Sequence, residues 1–299
     1  MDCEFRSACA SAVLDLHEPV SPRLPVVLAS PHSGCEYPPD FVNASRLDPV
    51  ALRQSEDSFV DQLFAAAPQL GVPLLSARFP RAYLDVNREA YELDPAMFSD
   101  ALPSFVNARS PRVRIGLGTI ARVVASGEEI YAKKLRFADA EQRIERFYYP
   151  YHHALRRLVE ETESLFGGYL LVDCHSMPST CASGCGQDGA DIVLGDCYGA
   201  SCAPRIVEVA KRFLVGRGFT VAMNAPYAGG FTTEFYGRPK AHRHALQIEV
   251  NRALYMDERS YARKPRFARL SEELAELVGE LSQAARECLP KAARERHFD

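Results

Sequence analysis

The sequence predicts an α/β domain in which helices pack on a mostly parallel or mixed sheet. Three observations carry this. Short, buried-looking apolar runs alternate with longer stretches of helical periodicity. A length of 299 residues with no obvious linker suits one large domain, residues 1–299, with a sizeable core. Side chains capable of metal binding or acid/base chemistry stand at or just past the apolar runs, where the carboxyl ends of strands in such sheets collect ligands.

In chain order, Val26–Ala29 reads as a strand and Leu47–Ala67 as a helix with apolar residues at helical spacing. Val72–Ala77 is the second strand. Glu129–Glu163 has helical periodicity, with Pro150 expected to interrupt it because proline lacks an N–H and its ring crowds the preceding turn. Tyr169–Val172 and Ile192–Leu194 are strands, Ala203–Val215 a helix, Thr220–Met223 and Ala245–Val250 strands, and Leu270–Ala293 the closing helix.

Composition excludes several classes of function. Hydrophobic content of 47% and charge of 25% are ordinary globular values, and a net charge of −4 gives no general attraction to nucleic acid or an anionic membrane. No stretch approaches the roughly 18 apolar residues of a membrane span, and no fixed-period repeat is present. The opening MDCEFRSACASAVLDLHEP lacks the basic segment and long apolar core of a secretory signal. A cytoplasmic setting follows, with the nine cysteines mostly reduced. The expected partner is a small molecule; oligomeric state is not readable from the sequence.

Position separates two of the eight histidines from the rest. His32 follows Pro31 at a strand end and precedes Ser33-Gly34, where glycine permits a tight turn; His175 stands just past the Tyr169–Asp173 run. Neutral imidazoles suit zinc, and a catalytic zinc takes about three protein ligands and leaves one position open. One divalent ion, zinc by preference, is the expected cofactor. No His-Glu-x-x-His or His-x-x-Glu pair supplies the third ligand, since Cys35 stands three residues after His32. Asp57, expected to open an apolar-periodic helix, is the preferred carboxylate, with Glu56 and Glu36 as alternatives.

Glu249 lies in Gln247-Ile248-Glu249-Val250-Asn251, where alternation sends Ile248 and Val250 to one face and the polar residues to the other. A polar face in a central strand is costly unless it is paired or lines a site, so Glu249 is the candidate general base; an exposed edge strand is the alternative. In Arg81-Ala82-Tyr83-Leu84-Asp85-Val86-Asn87-Arg88, Arg81 suits polarisation of a scissile carbonyl, while Arg88 beside Asn87 suits a substrate carboxylate. Arg122 and the Gly229-Gly230-Phe231-Thr232-Thr233 loop are further carboxylate contacts. His152 is a second-rank site candidate in a tyrosine-rich helix start.

Pro31-His32-Ser33-Gly34, Glu56-Asp57 with Val60-Asp61, Arg81 with Asp85-Val86-Asn87-Arg88, Pro150-Tyr151-His152, Asp173-Cys174-His175-Ser176 and Leu246–Met256 occur in this order. The ordered set resembles the N-formylglutamate amidohydrolase family, more distantly aspartoacylase, succinylglutamate desuccinylase and the zinc carboxypeptidases. The resemblance implies a three-layer α/β/α fold and hydrolysis of N-formyl-L-glutamate to formate and glutamate, a step of histidine degradation. It also implies that Glu249 is the general base, that Arg81 polarises the carbonyl, and that Asn87 and Arg88 bind the substrate carboxylate. Arg252, inside the last motif, joins the substrate-binding candidates with Arg122 and His152. The departure is at the first metal motif, where the distant relatives carry His-x-x-Glu.

Rival readings are deacylation of acetyl or succinyl substrates, carboxypeptidase-like cleavage, and a zinc-stabilised binding module without catalysis. One methylene changes discrimination by only about 10–200-fold, so the acyl group depends on pocket width. Cys181-Ala182-Ser183-Gly184-Cys185 reads as a loop, because a structural zinc site needs about four ligands. Gly116-Leu117-Gly118 lacks the third glycine of a dinucleotide site.

Overall fold

The computed structural model describes residues 13–19, 23–182 and 189–290. Residues 1–12, Cys185 and the end of the last helical candidate past 290 lie outside the described residues. Among the described residues seven strands form one mixed sheet: β1 (Leu14–His17), β2 (Val26–Ser30), β3 (Leu74–Ala77), β4 (Tyr169–Met177), β5 (Ile192–Gly195), β6 (Val221–Met223) and β7 (Arg243–Asn251). Their spatial order is β1-β3-β2-β4-β7-β5-β6. The strands β3, β2, β4 and β7 run parallel; β1 is antiparallel to β3, and β5 and β6 run against β7.

Alternation along the central strands decides what each face carries. Val27, Ala29, Tyr169, Leu171 and Ala245 enter a core shared with the helix Tyr149–Phe166. Val26, Leu28, Leu170, Val172, Leu246, Ile248 and Val250 enter a second core, packed by the helices Pro204–Gly216 and Arg266–Glu287. Helices therefore cover both faces, which is why these strands read as continuous apolar runs. The same alternation puts Asp173, His175, Gln247 and Glu249 on the first face, near the carboxyl ends of two parallel neighbours whose register pairs His175 with Glu249.

Two helical expectations are corrected. Leu47–Ala67 breaks into Pro49–Leu52, a 3₁₀ turn Arg53–Ser55, an irregular Glu56-Asp57-Ser58, and the single turn Val60–Leu63 after a left-handed Phe59 (φ 67°). Side-chain bonds of Glu56 to Tyr37 and Arg53, and of Asp57 to His175, hold this segment inward and override the periodicity. Glu129–Glu163 is helical only from Phe137, and a π-helical turn at Ile144–Tyr148 leads into Tyr149–Phe166. Pro150 does not end the helical run; it stands directly after the π-helical turn, as the second residue of Tyr149–Phe166, and helical backbone continues through it. The edge strand β1 was not expected from the sequence.

Candidate metal centre and active site

His32 stands on the loop leaving β2, where Gly34 lies so close to the Arg78 and Phe79 backbone that a Cβ would collide with it. The Asp57 N–H donates to the His32 carbonyl at 3.0 Å, tying the Glu56–Ser58 segment to that loop. β4 brings His175 to the same point. The His32 and His175 Nδ1 atoms are 3.1 Å apart, and Asp57 Oδ2 lies 2.9 Å from the His175 nitrogen and 3.4 Å from the His32 one. All three residues are buried.

These separations test whether the group can hold an ion. Ligands at 2.0–2.1 Å around a tetrahedral zinc are about 3.3 Å apart, close to the three distances found. Each imidazole also has a carboxylate on its far nitrogen: His32 Nε2 lies 2.7 Å from Asp85 Oδ1, and His175 Nε2 2.9 Å from Asp173 Oδ2. That pairing fixes the tautomer that leaves Nδ1 free for a metal. Electrostatics point the same way. Burial alone would raise the Asp57 carboxyl, but hydrogen bonds from His175 and His32 hold it well below the usual carboxylate range. Burial alone would lower His175, but Asp173 and Asp57 hold it well above the usual imidazole range. The cluster draws positive charge inward, and a divalent ion could replace the protons it otherwise shares. The residues fit a divalent metal.

A cavity of about 450 Å³ opens beside this cluster, with Arg81, Asp85, Arg88, Ser176, Glu249 and Arg252 in its lining. Glu249 is on an internal strand, not an edge, and its Oε1 accepts from Gln247 Nε2 at 2.8 Å. Burial pushes its carboxyl up to about 8; His175 and Arg81 oppose the rise, and Asp57 and Asp173 add to it. Arg81 Nη2 donates to Asp85 Oδ2 at 2.8 Å. Arg88 donates from Nε to the Leu117 carbonyl and from Nη1 to the Asn87 carbonyl, and its Nη2 lies 3.5 Å from Asp85. Burial lowers Arg88 to about 10, with Asp85 opposing.

Of the residues singled out in the sequence, His32, Asp57, His175, Glu249, Arg81 and Arg88 come together here. The alternative carboxylates do not: Glu56 is bound by Tyr37, Arg53 and Ser58, and Glu36 pairs with Arg78 at the surface. Arg252 reaches the cavity, but its guanidinium is committed to Ser176 Oγ, the Gln54 carbonyl and Asp57 Oδ1. It therefore orients the carboxylate, and one N–H on each of Nη1 and Nη2 is left beyond these bonds. Arg122 is drawn away by Asp94 at 2.9 Å and lines a separate groove with Arg46 and Lys133. His152 lies behind the site, between the Val86 carbonyl and the Tyr236 hydroxyl. Asn87 is buried behind His175 and is not part of the cavity lining. Sequence reasoning missed Asp85 and Asp173 as imidazole partners; for Asp173 the signal was its place two residues before His175, on the same strand face.

Convergent imidazole and carboxylate donors, a buried glutamate with a raised pKa and cavity-facing arginines together define a hydrolase centre able to hold a divalent metal. Residues 24–256 match the N-formylglutamate amidohydrolase family, and the chain belongs to that family of hydrolases acting on a linear amide. It is 28% identical to an N-formylglutamate deformylase of Pseudomonas putida, over 82% of this chain and 86% of the relative. A second such deformylase, from Pseudomonas aeruginosa, is 27% identical over 80% and 84%. Among solved structures, an N-formylglutamate amidohydrolase from Ralstonia eutropha JMP134 superposes with a TM-score of 0.87 at 38% identity, covering 92% of this chain and 99% of that one.

Proposed function

We propose that this chain is a zinc-dependent deformylase that hydrolyses N-formyl-L-glutamate to formate and L-glutamate in histidine degradation, in the cytoplasm. The observation that carries the reading is the convergence of the His32, Asp57 and His175 donors beside Glu249 in a chain of this family. Two imidazoles and one carboxylate form a donor set suited to zinc. Among the described residues Cys35, Cys174, Cys181, Cys197 and Cys202 are free thiols, which suits a reducing compartment.

His32, Asp57 and His175 would hold the zinc, which when bound would supply Lewis acidity and make a water nucleophilic near neutral pH. Asp85 and Asp173 hold the two imidazoles in the ligating tautomer. Glu249 takes a proton from the attacking water and passes it to the amide nitrogen as the C–N bond breaks, a task suited to a carboxylate whose basicity is raised by burial. Arg81 donates to the formyl oxygen as negative charge develops there. Arg88 receives a substrate carboxylate on Nη2, which Leu117 and Asn87 leave unused and which stands 3.5 Å from Asp85.

The test joins elemental analysis to a hydrolysis assay on N-formyl-, N-acetyl- and N-succinyl-glutamate. Purified protein should carry about one zinc per chain and turn over the formyl substrate fastest, and a His32→Ala/His175→Ala double variant should lose both metal and activity. Full metal content in the double variant overturns the centre. Faster turnover of an acetyl or succinyl substrate overturns the substrate assignment.

A further inference from the structure

The Asn87 side chain is pinned at both ends. Its Nδ2 donates to Asp173 Oδ2 at 3.0 Å and lies 3.1 Å from His175 Nε2, while its Oδ1 accepts from the Thr232 N–H at 2.8 Å. Its own backbone N–H donates to Asp85 Oδ1 at 2.9 Å, the oxygen that also meets His32 Nε2. One residue therefore touches both carboxylates that stand behind the two imidazoles.

We infer that Asn87 is a positioning residue for His175, acting through Asp173, and that the Gly229–Thr233 loop fixes its pose. This rests on the reading that His175 holds the metal. With the metal on Nδ1, His175 Nε2–H and Asn87 Nδ2–H both donate to Asp173 Oδ2, whereas Asp173 Oδ1 has no hydrogen-bond partner among the described residues. Asn87 thus supplies one of two hydrogen bonds on a fully buried carboxylate. Its removal leaves Asp173 less fixed, so Asp173 holds the imidazole ring less firmly in its ligating pose.

The loop contributes by clearance. Gly230 has an ordinary extended backbone (φ −112°), so glycine is not needed there for a left-handed turn. A Cβ at this position would run into the Asn87 amide, which the surrounding hydrogen bonds prevent from moving away. Thr232 then donates its N–H to that amide from the start of the helix Phe231–Tyr236.

Asn87→Ala and Gly230→Ala test this with two readouts: zinc affinity by competition with a chromophoric chelator, and kcat and KM at saturating zinc. Both variants should bind zinc roughly 10–100-fold more weakly, with KM essentially unchanged once zinc is saturating. Gly230→Ala removes no polar group, so it also answers for Asn87→Ala should that variant fail to fold. Unchanged zinc affinity with a raised KM in Asn87→Ala makes Asn87 a substrate contact and overturns the inference, as does unchanged affinity in both folded variants. A His175→Ala control separates the two levels: if it keeps wild-type zinc affinity, the metal reading itself fails.

Discussion

The site is assembled from two kinds of backbone. Adjacent parallel strands β4 and β7 deliver Asp173, His175 and Glu249, each aimed by the ladder register. Loops deliver His32, Asp57, Arg81, Asp85 and Arg88, and these are aimed chiefly by hydrogen bonds to one another and to nearby carbonyls. Asp85 alone meets His32, Arg81 and the Asn87 N–H. A change on the strand side should therefore remove one chemical function and leave the scaffold, whereas a change on the loop side should disturb function and geometry together.

Glu249→Gln is the largest test of this contrast. The amide keeps the shape and can still meet Gln247 after rotation, but it cannot accept the proton. Turnover should fall on the order of 10²–10⁴-fold while zinc content stays at the wild-type level. A folded variant with near-normal kcat would reject the general-base role, and one lacking zinc would make Glu249 a ligand.

The loop side should respond less cleanly. Arg81→Ala should lower kcat by roughly 10²–10³-fold, and Arg88→Ala should chiefly raise KM, by roughly 10–100-fold for a lost charged hydrogen bond. Both arginines face Asp85, so their effects should be non-additive in the double variant. Strict additivity would mean that the loop residues act independently, and the contrast with the strands would lose its physical basis.

The same division explains what the sequence disclosed. Strand residues have only two faces to choose between, so the apolar neighbours Ile248 and Val250 were enough to orient Glu249. Apolar runs likewise located β2, β4 and β7. On loops, residue type and neighbourhood carry no direction. Arg252 follows directly on β7 and looks like a substrate arginine, yet its partners lie in the distant Gln54–Asp57 segment. Arg122 and His152 failed as cavity residues for the same reason, and the helix expected over Leu47–Ala67 gave way to contacts that no local periodicity records.

His244 sharpens the comparison from the strand side, because it shares β7 with Glu249 but points into the opposite core. It is buried, and neither ring nitrogen has a hydrogen-bond partner among the described residues. Burial, with His242 adding to it, lowers its pKa to about 4, against an ordinary value near 6.5. Between those values the unfolded chain takes up a proton that the folded chain refuses. The neutral ring's contribution is therefore complete above about pH 6.5 and is lost as the pH falls towards about 4, at up to about 1.4 kcal/mol per pH unit. Denaturant titrations should show the wild type losing about 1.5 kcal/mol more than His244→Leu between pH 6.5 and pH 5. His152, also lowered to about 4 by burial, adds a slope common to both proteins. Because His244 lies across the sheet from the cavity, His244→Leu should leave kcat at pH 7 unchanged. An equal loss of stability in the two proteins would show that His244 is protonated in the folded chain, and a fall in kcat would show that the two faces of β7 are not independent.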